Sequence, residues 1–403
     1  MVDVLLLVAL VVMAFVGYNI GGSNIGVAFG PAVGSRAVTK IGAGVLMTVF
    51  FFLGGWFLGR EVVRTMGNGI VEGNLLTAEA SIVVLFFIGL SLFLGNFVGV
   101  PASTSMTGVG SIAGLGLAAG AVNWDLMGPI VSWWIVSPLM AFAASGIIGR
   151  YFYLYLVAWF AIDQSEGALL ALDRSRILPR PVLGPDTTRR ELIGSVLVVA
   201  IGCYTAFSAG AGNTATAIAP LVGSGAIDIE LGIILAGITV GAGAFTIGRR
   251  TIDTVGDDLT EMPLVAALVV GAVSSTFEVG LAQFGVPASV VVISTMSIVG
   301  LGWGRASRVA SISQIRDGSM DENAMSVGGL AADAESTPTV GGGGGRGPGH
   351  HPTPIGEENP DDIPRAADLF RPKESVRVIL VQNIVPILAT IASYLLFRFV
   401  PGL

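Results

Sequence analysis

The chain has 403 residues, 53% hydrophobic and only 12% charged, with a net charge of −7 and a mean hydropathy of +0.79. A soluble domain carries about 25% charged residues, so a water-soluble globule is excluded, and the lack of a basic patch argues against nucleic acid. One cysteine, Cys203, excludes an internal disulfide, and the two histidines are adjacent, His350-His351, in a Gly/Pro-rich tract that reads as a solvated tail rather than a metal site.

The predicted elements are membrane helices. Spans 2–20, 41–58, 81–98 and 129–149 are long and apolar enough to cross about 30 Å of hydrocarbon. The first lacks a positive start, Met1-Val2-Asp3, and reads as a retained helix rather than a signal peptide. An aromatic run, Tyr151 to Phe160, either extends the fourth span or lies in the interface. Residues 163–190 form a polar linker. Spans 192–209, 229–247, 263–284, 287–301 and 376–398 follow, interrupted at 307–372 by an acidic, Gly/Pro-rich stretch, with Gly341 to Gly345, that cannot offset its ordering entropy. In lipid every backbone polar group must be satisfied internally, so the spans are helices, and the alternation of a barrel is absent.

Two halves repeat. Gly21-Gly22-Ser23-Asn24 through Pro31 returns 189 residues later as Gly210-Ala211-Gly212-Asn213 through Pro220. Gly59-Arg60 through Thr65, Gly67 and Glu72 returns at the same offset as Gly248-Arg249 through Thr254, Gly256 and Glu261. Gly99-Val100-Pro101-Ala102-Ser103 returns 186 residues later at Gly285 to Ser289, and Pro138 returns as Pro386 at an offset of 248, the excess matching the inserted loop. The expected organisation is therefore repeat one at 1–162, a cytoplasmic linker at 163–190, the main part of repeat two at 191–306, a disordered cytoplasmic insertion at 307–372 and a final helix at 373–403. Duplicated, Gly-interrupted apolar segments point to a secondary transporter of all-α, inverted-repeat architecture with broken helices at the midplane.

The chemistry sits at those interruptions. In Gly21 to Pro31 and Gly210 to Pro220, glycine allows a turn and close ligand approach, and a helix starting there would offer free N–H groups to an anion. Small-residue helix packing explains the same composition, but two copies in register favour a site. In Pro101 to Gly108, Pro suits a first helical turn, and Ser103, Thr104 and Ser105 crowd it with hydroxyls beyond the one that capping needs. The second copy keeps Ser289 but has Val290 and Val291, so the site should be asymmetric. Candidate anion ligands are Ser23, Asn24, Ser103, Thr104, Ser105, Asn213, Thr214 and Ser289. Glu278 is the most suggestive ionisable residue, because charge in hydrocarbon is costly; it reads either as a cation ligand, with Asn24 and Asn213, or as a proton carrier. Glu61, Glu72, Asp228, Glu230, Asp253 and Glu261 flank spans and read as solvated or as packing partners, and Arg249-Arg250 as an interfacial anchor. A lone Cys, no membrane-level His and no repeated carboxylate dyad argue against an enzyme.

These segments resemble the inorganic phosphate transporter (PiT, Pho4-like) family, whose signature GANDVANA-F-G occurs in each half, followed by G-x-P-V-S-T-T-H. Ser132-Trp133-Trp134-Ile135-Val136-Ser137-Pro138 and Thr254-Val255-Gly256 extend the match. Ser23 and Gly212 stand at the first motif Asn, Asn24 and Asn213 at the motif Asp, Val27 and Thr216 at the second Asn, and Met106 and Val292 at the His. The resemblance implies phosphate as substrate, Na⁺ as coupling ion, cation binding at the motif Asp positions, and a homodimer; H⁺, carried by Glu278, is the alternative coupling ion. Asn at both Asp positions removes the charge that would bind a cation. It also removes an acceptor for the proton of monohydrogen phosphate, so sulfate is a competing substrate, and an uncoupled anion channel is a third reading. The positive-inside rule places the linker and the insertion in the cytoplasm of a multi-pass cell-membrane protein.

Overall fold

The structure, a computed structural model, describes residues 2–73, 75–98, 103–160, 170–173, 180–183, 189–248, 264–317 and 372–400. Pro101, Ala102, Arg249, Arg250, Asp253, Thr254, Gly256, Glu261 and most of the expected linker and insertion lie outside these residues. The first half comprises α1 (Val2–Gly34), α2 (Lys40–Gly54), α3 (Arg60–Arg64), α4 (Ala78–Val98), α5 (Thr104–Ala119), α6 (Trp124–Ile147) and α7 (Tyr153–Phe160). One-turn π segments at Gly55–Gly59 and Thr65–Gly69 join α2 and α3 into one rod, and a third at Ile148–Phe152 carries α6 into α7, so the aromatic run extends the helix before it. Within the linker, β1 (Leu170–Asp173) pairs antiparallel with β2 (Arg180–Leu183), Leu170 opposite Leu183. The second half comprises α8 (Arg189–Gly223), α9 (Ile229–Phe245), α10 (Leu264–Gln283), α11 (Val290–Asp317) and α12 (Pro372–Phe399). Among the described residues eight helices are long and apolar enough to cross a membrane, and the chain is a multi-pass membrane protein.

Two expectations are corrected. The glycine motifs do not break their helices: α1 runs unbroken through Gly21 to Pro31, and α8 through Gly210 to Pro220. An interior Gly costs a helix about 1 kcal/mol relative to Ala, but an unsatisfied amide in hydrocarbon costs several, so the ladder persists. Helix α11 also runs on to Asp317, into the segment expected to belong to the insertion. The interruption falls elsewhere. Residues 284–289 are non-helical between α10 and α11, and α5 starts after an extended Ser103.

The motif glycines serve close packing between the halves. A Cβ on Gly21 would fall on the carbonyl of Val240 in α9, and one on Gly210 on the carbonyl of Phe51 in α2. Likewise Gly54 abuts the carbonyl of Phe207, and Gly243 that of Tyr18. These are repeat-related pairs at the 189 offset. At the other offsets, Gly114 abuts the carbonyl of Thr390, and Gly300 that of Phe142. Ser393 donates to the Ser111 carbonyl (2.7 Å), and the hydroxyls of Ser145 and Ser297 bond each other. The halves thus exchange contacts in pseudo-two-fold fashion: α1 packs on α9 as α8 packs on α2, and α5 packs on α12 as α11 packs on α6.

Candidate functional site

The start of α5 is built by its cap. Ser103 accepts from the Met106 N–H (3.3 Å), and Thr107 donates back to the Ser103 carbonyl (2.6 Å). This turns the next two hydroxyls toward α8 of the other half. Thr104 Oγ1 donates to Oδ1 of Asn213, and Ser105 Oγ donates to the same oxygen (3.2 Å) and to the Gly212 carbonyl (3.4 Å). Asn213 is fully buried, and its Nδ2 has no partner among the described residues; the Thr216 hydroxyl, one turn on and against Gly108, has none either. Two buried donors thus line a polar cradle beside a helix N-terminus, and each costs about 1–3 kcal/mol unless something accepts from it.

The remaining predicted residues divide. Ser289 is buried and caps α11, accepting from the Val292 N–H (3.4 Å), as Ser103 caps α5. Glu278 on α10 is fully buried, and its Oε2 accepts from Ser208 Oγ. Asn24 is buried, but its Nδ2 donates to the Ile20 carbonyl (2.9 Å), and Ser23 Oγ donates to the same oxygen (3.1 Å), so their bonds run back along α1 and none joins them to Asn213. Thr214 donates to the Gly210 carbonyl (2.7 Å) and packs on Gly55 of the π turn, away from Thr104. Glu61, Glu72, Asp228 and Glu230 are exposed; Glu230 pairs with Arg60 at 2.8 Å and Glu61 with Arg64 at 2.5 Å. No cluster of three metal-ligating side chains occurs among the described residues.

Thr216 is a donor of the second glycine motif, at its second Asn position, and the structure sets it beside Asn213; Ser208 is not a sequence candidate. Ser208 precedes the motif, and only the fold brings it to Glu278.

The family model described as the phosphate transporter family matches residues 20–320. The chain belongs to this family. Among its relatives is the Sulfate permease CysP of Bacillus subtilis (strain 168), 31% identical over 297 residues, covering 73% of this chain and 77% of that protein. Another is a Helicobacter pylori (strain ATCC 700392 / 26695) protein named "Putative phosphate permease", 29% identical, covering 74% of this chain and 68% of its own. A solved structure entitled "The sodium-dependent phosphate transporter" superposes with a TM-score of 0.63 at 17% identity, over 98% of this chain and 100% of that one. Membership in this family of transporters agrees with the absence of an enzyme-like constellation in the sequence. The Thr104–Asn213 contact lies within the span that the family model matches.

Proposed function

We propose that this phosphate transporter family member is a secondary transporter that carries a tetrahedral inorganic oxyanion, phosphate or sulfate, across the cell membrane, driven by a cation. The observation that supports this most is the meeting of Thr104 and Ser105 from one half with Asn213 from the other, beside the open donors of Asn213 and Thr216. A site assembled where α5 meets α8 is released when these two helices part, which is what alternating access requires. Ser103 and Ser289 hold the two helix starts, and the α5 amides add donors. Ser23, Asn24 and Thr214 are assigned to the packing around this site. In this arrangement the halves are inverted repeats, the coupling ion is Na⁺ or H⁺, and the molecule assembles as a homodimer.

The family description favours phosphate. Sulfate is a second reading with its own support: the relative named a sulfate permease, and the Asn residues at both motif Asp positions. With Asn at these positions no motif carboxylate accepts the phosphate proton, and a buried donor without a good acceptor is penalised. Uptake of labelled phosphate and of labelled sulfate into proteoliposomes decides between them. If excess sulfate leaves phosphate uptake untouched, sulfate is not a substrate; if neither anion accumulates against its gradient, the protein is not a coupled transporter.

A further inference from the structure

Glu278 is the one fully buried acidic side chain among the described residues. Its Oε2 is held by the Ser208 hydroxyl, while Oε1 has no hydrogen-bond partner among the described residues and rests against Gly212, where a Cβ would overlap it. The backbone N–H of Val290, at the start of α11, faces the same carboxyl. Gly212 is the residue before Asn213, and its carbonyl already accepts from Ser105. The carboxyl therefore stands one residue away from the oxyanion cradle.

We propose that Glu278 carries the coupling proton, being neutral when the cradle holds its anion and ionised when the cradle is empty. This inference rests on the oxyanion-transport reading above. An ionised carboxylate beside a polyanion, with water excluded, is repulsive. Binding of the anion and of a proton therefore favour each other, and the linkage is reciprocal. Among the described residues no basic side chain neutralises the carboxylate instead. Arg60 is engaged by Glu230 and Arg64 by Glu61, and Arg305 lies over the Tyr153 ring. On α8, packed against α10, Tyr204 bonds Thr276. Nor does the packing suit a metal ion. Oε1 lies on the bare face of Gly212, whereas Na⁺ needs a shell of oxygens, and a proton adds no volume. At the repeat-related position the first half has Leu92, also buried, so the proton site exists in one half alone. The step is a protonation: carboxylate plus H⁺ gives the carboxylic acid on one side, and the reverse occurs on the other.

The test uses the full chain in lightly buffered detergent with a pH dye. Both probes are used at about pH 9, high enough for a buried carboxyl to have released its proton beforehand: sulfate, which does not titrate there, is the first, and phosphate, almost wholly the dianion, is the second. Close to one proton is expected to be taken up per anion bound by the wild type, and none by Glu278→Gln. In proteoliposomes, an inward proton gradient without Na⁺ is expected to speed wild-type uptake about tenfold or more and to acidify the lumen, whereas Glu278→Gln loses both responses and Glu278→Asp keeps the acidification. Anion binding by the wild type without proton uptake overturns the assignment to Glu278 while leaving transport standing, as does acidification by Glu278→Gln or a requirement for Na⁺. Failure of the wild type to bind or exchange either anion overturns the transport reading itself, and this proposal with it.

Discussion

Asn213 joins two functions in one amide. Its Oδ1 ties together the hydroxyls of Thr104 and Ser105, and its Nδ2, without a partner among the described residues, is the donor that the proposed site offers to its anion. Asn213→Ala strands those hydroxyls at about 1–3 kcal/mol, so labelled anion uptake is expected to fall by about a hundredfold, with a lower Tm in detergent. Thr104→Val removes the hydroxyl that holds Asn213 Oδ1 and keeps the shape, so the amide that faces the anion in the proposed site is less firmly placed. The net value of one hydrogen bond, about 1 kcal/mol, predicts a several-fold loss of anion affinity, read by titration calorimetry. Ser103→Ala acts on the cap rather than on the ligand. It is expected to cost about 1 kcal/mol of stability, visible in thermal unfolding, and to weaken anion binding only through fraying of the first turn of α5.

At the scale of elements, the unbroken helices α1 and α8 rest on glycines that let backbones cross. Gly21→Ala and Gly210→Ala each put a Cβ onto a carbonyl of the opposite half, Val240 or Phe51. Overpacking of this kind costs about 1–3 kcal/mol, and the two variants should lose similar Tm because their surroundings are repeat-related. Gly128→Ala, on a face with nothing within 4 Å, is the contrast and is expected to be neutral or stabilising by up to about 1 kcal/mol. Here the sequence showed the spans, the repeat offsets and the cap at Ser103, because these depend on composition and local spacing. It misled at Gly21 and Gly210. A glycine in an apolar run marks either a break or a crossing, and the distinction lies in a partner helix far along the chain. For the same reason Thr214 looked equivalent to Asn213: a helix turns about 100° per residue, and only the packed structure shows which of two neighbours faces α5. Glu278 was legible as a costly charge in hydrocarbon; its partner Ser208, 70 residues earlier, was not.

At the scale of the molecule, the halves are interlocked rather than merely apposed. Each takes the last helix of the other: α12 lies against α5 and α6 against α11, through glycine faces and the Ser111–Ser393 and Ser145–Ser297 bonds. Such backbone-to-backbone pairs should move as rigid units while the α5–α8 contact opens and closes. Cysteines at positions 145 and 297, in a Cys203→Ala background, are expected to form a disulfide on oxidation and to retain uptake within about twofold of the reduced protein. Loss of uptake on oxidation would show instead that α6 and α11 slide during the cycle.

The placement of α12 also has a bearing on biogenesis. Gly110 and Gly114 of α5 are covered by Pro386 to Tyr394, segments separated by most of the polypeptide. While the nascent chain is still emerging from the ribosome, that small-residue groove can face only lipid or an insertion chaperone. Maturation of the N-terminal half therefore waits for the final helix to be synthesised, and chains ending before Pro372 are expected to reach the bilayer and then be cleared by quality-control proteases.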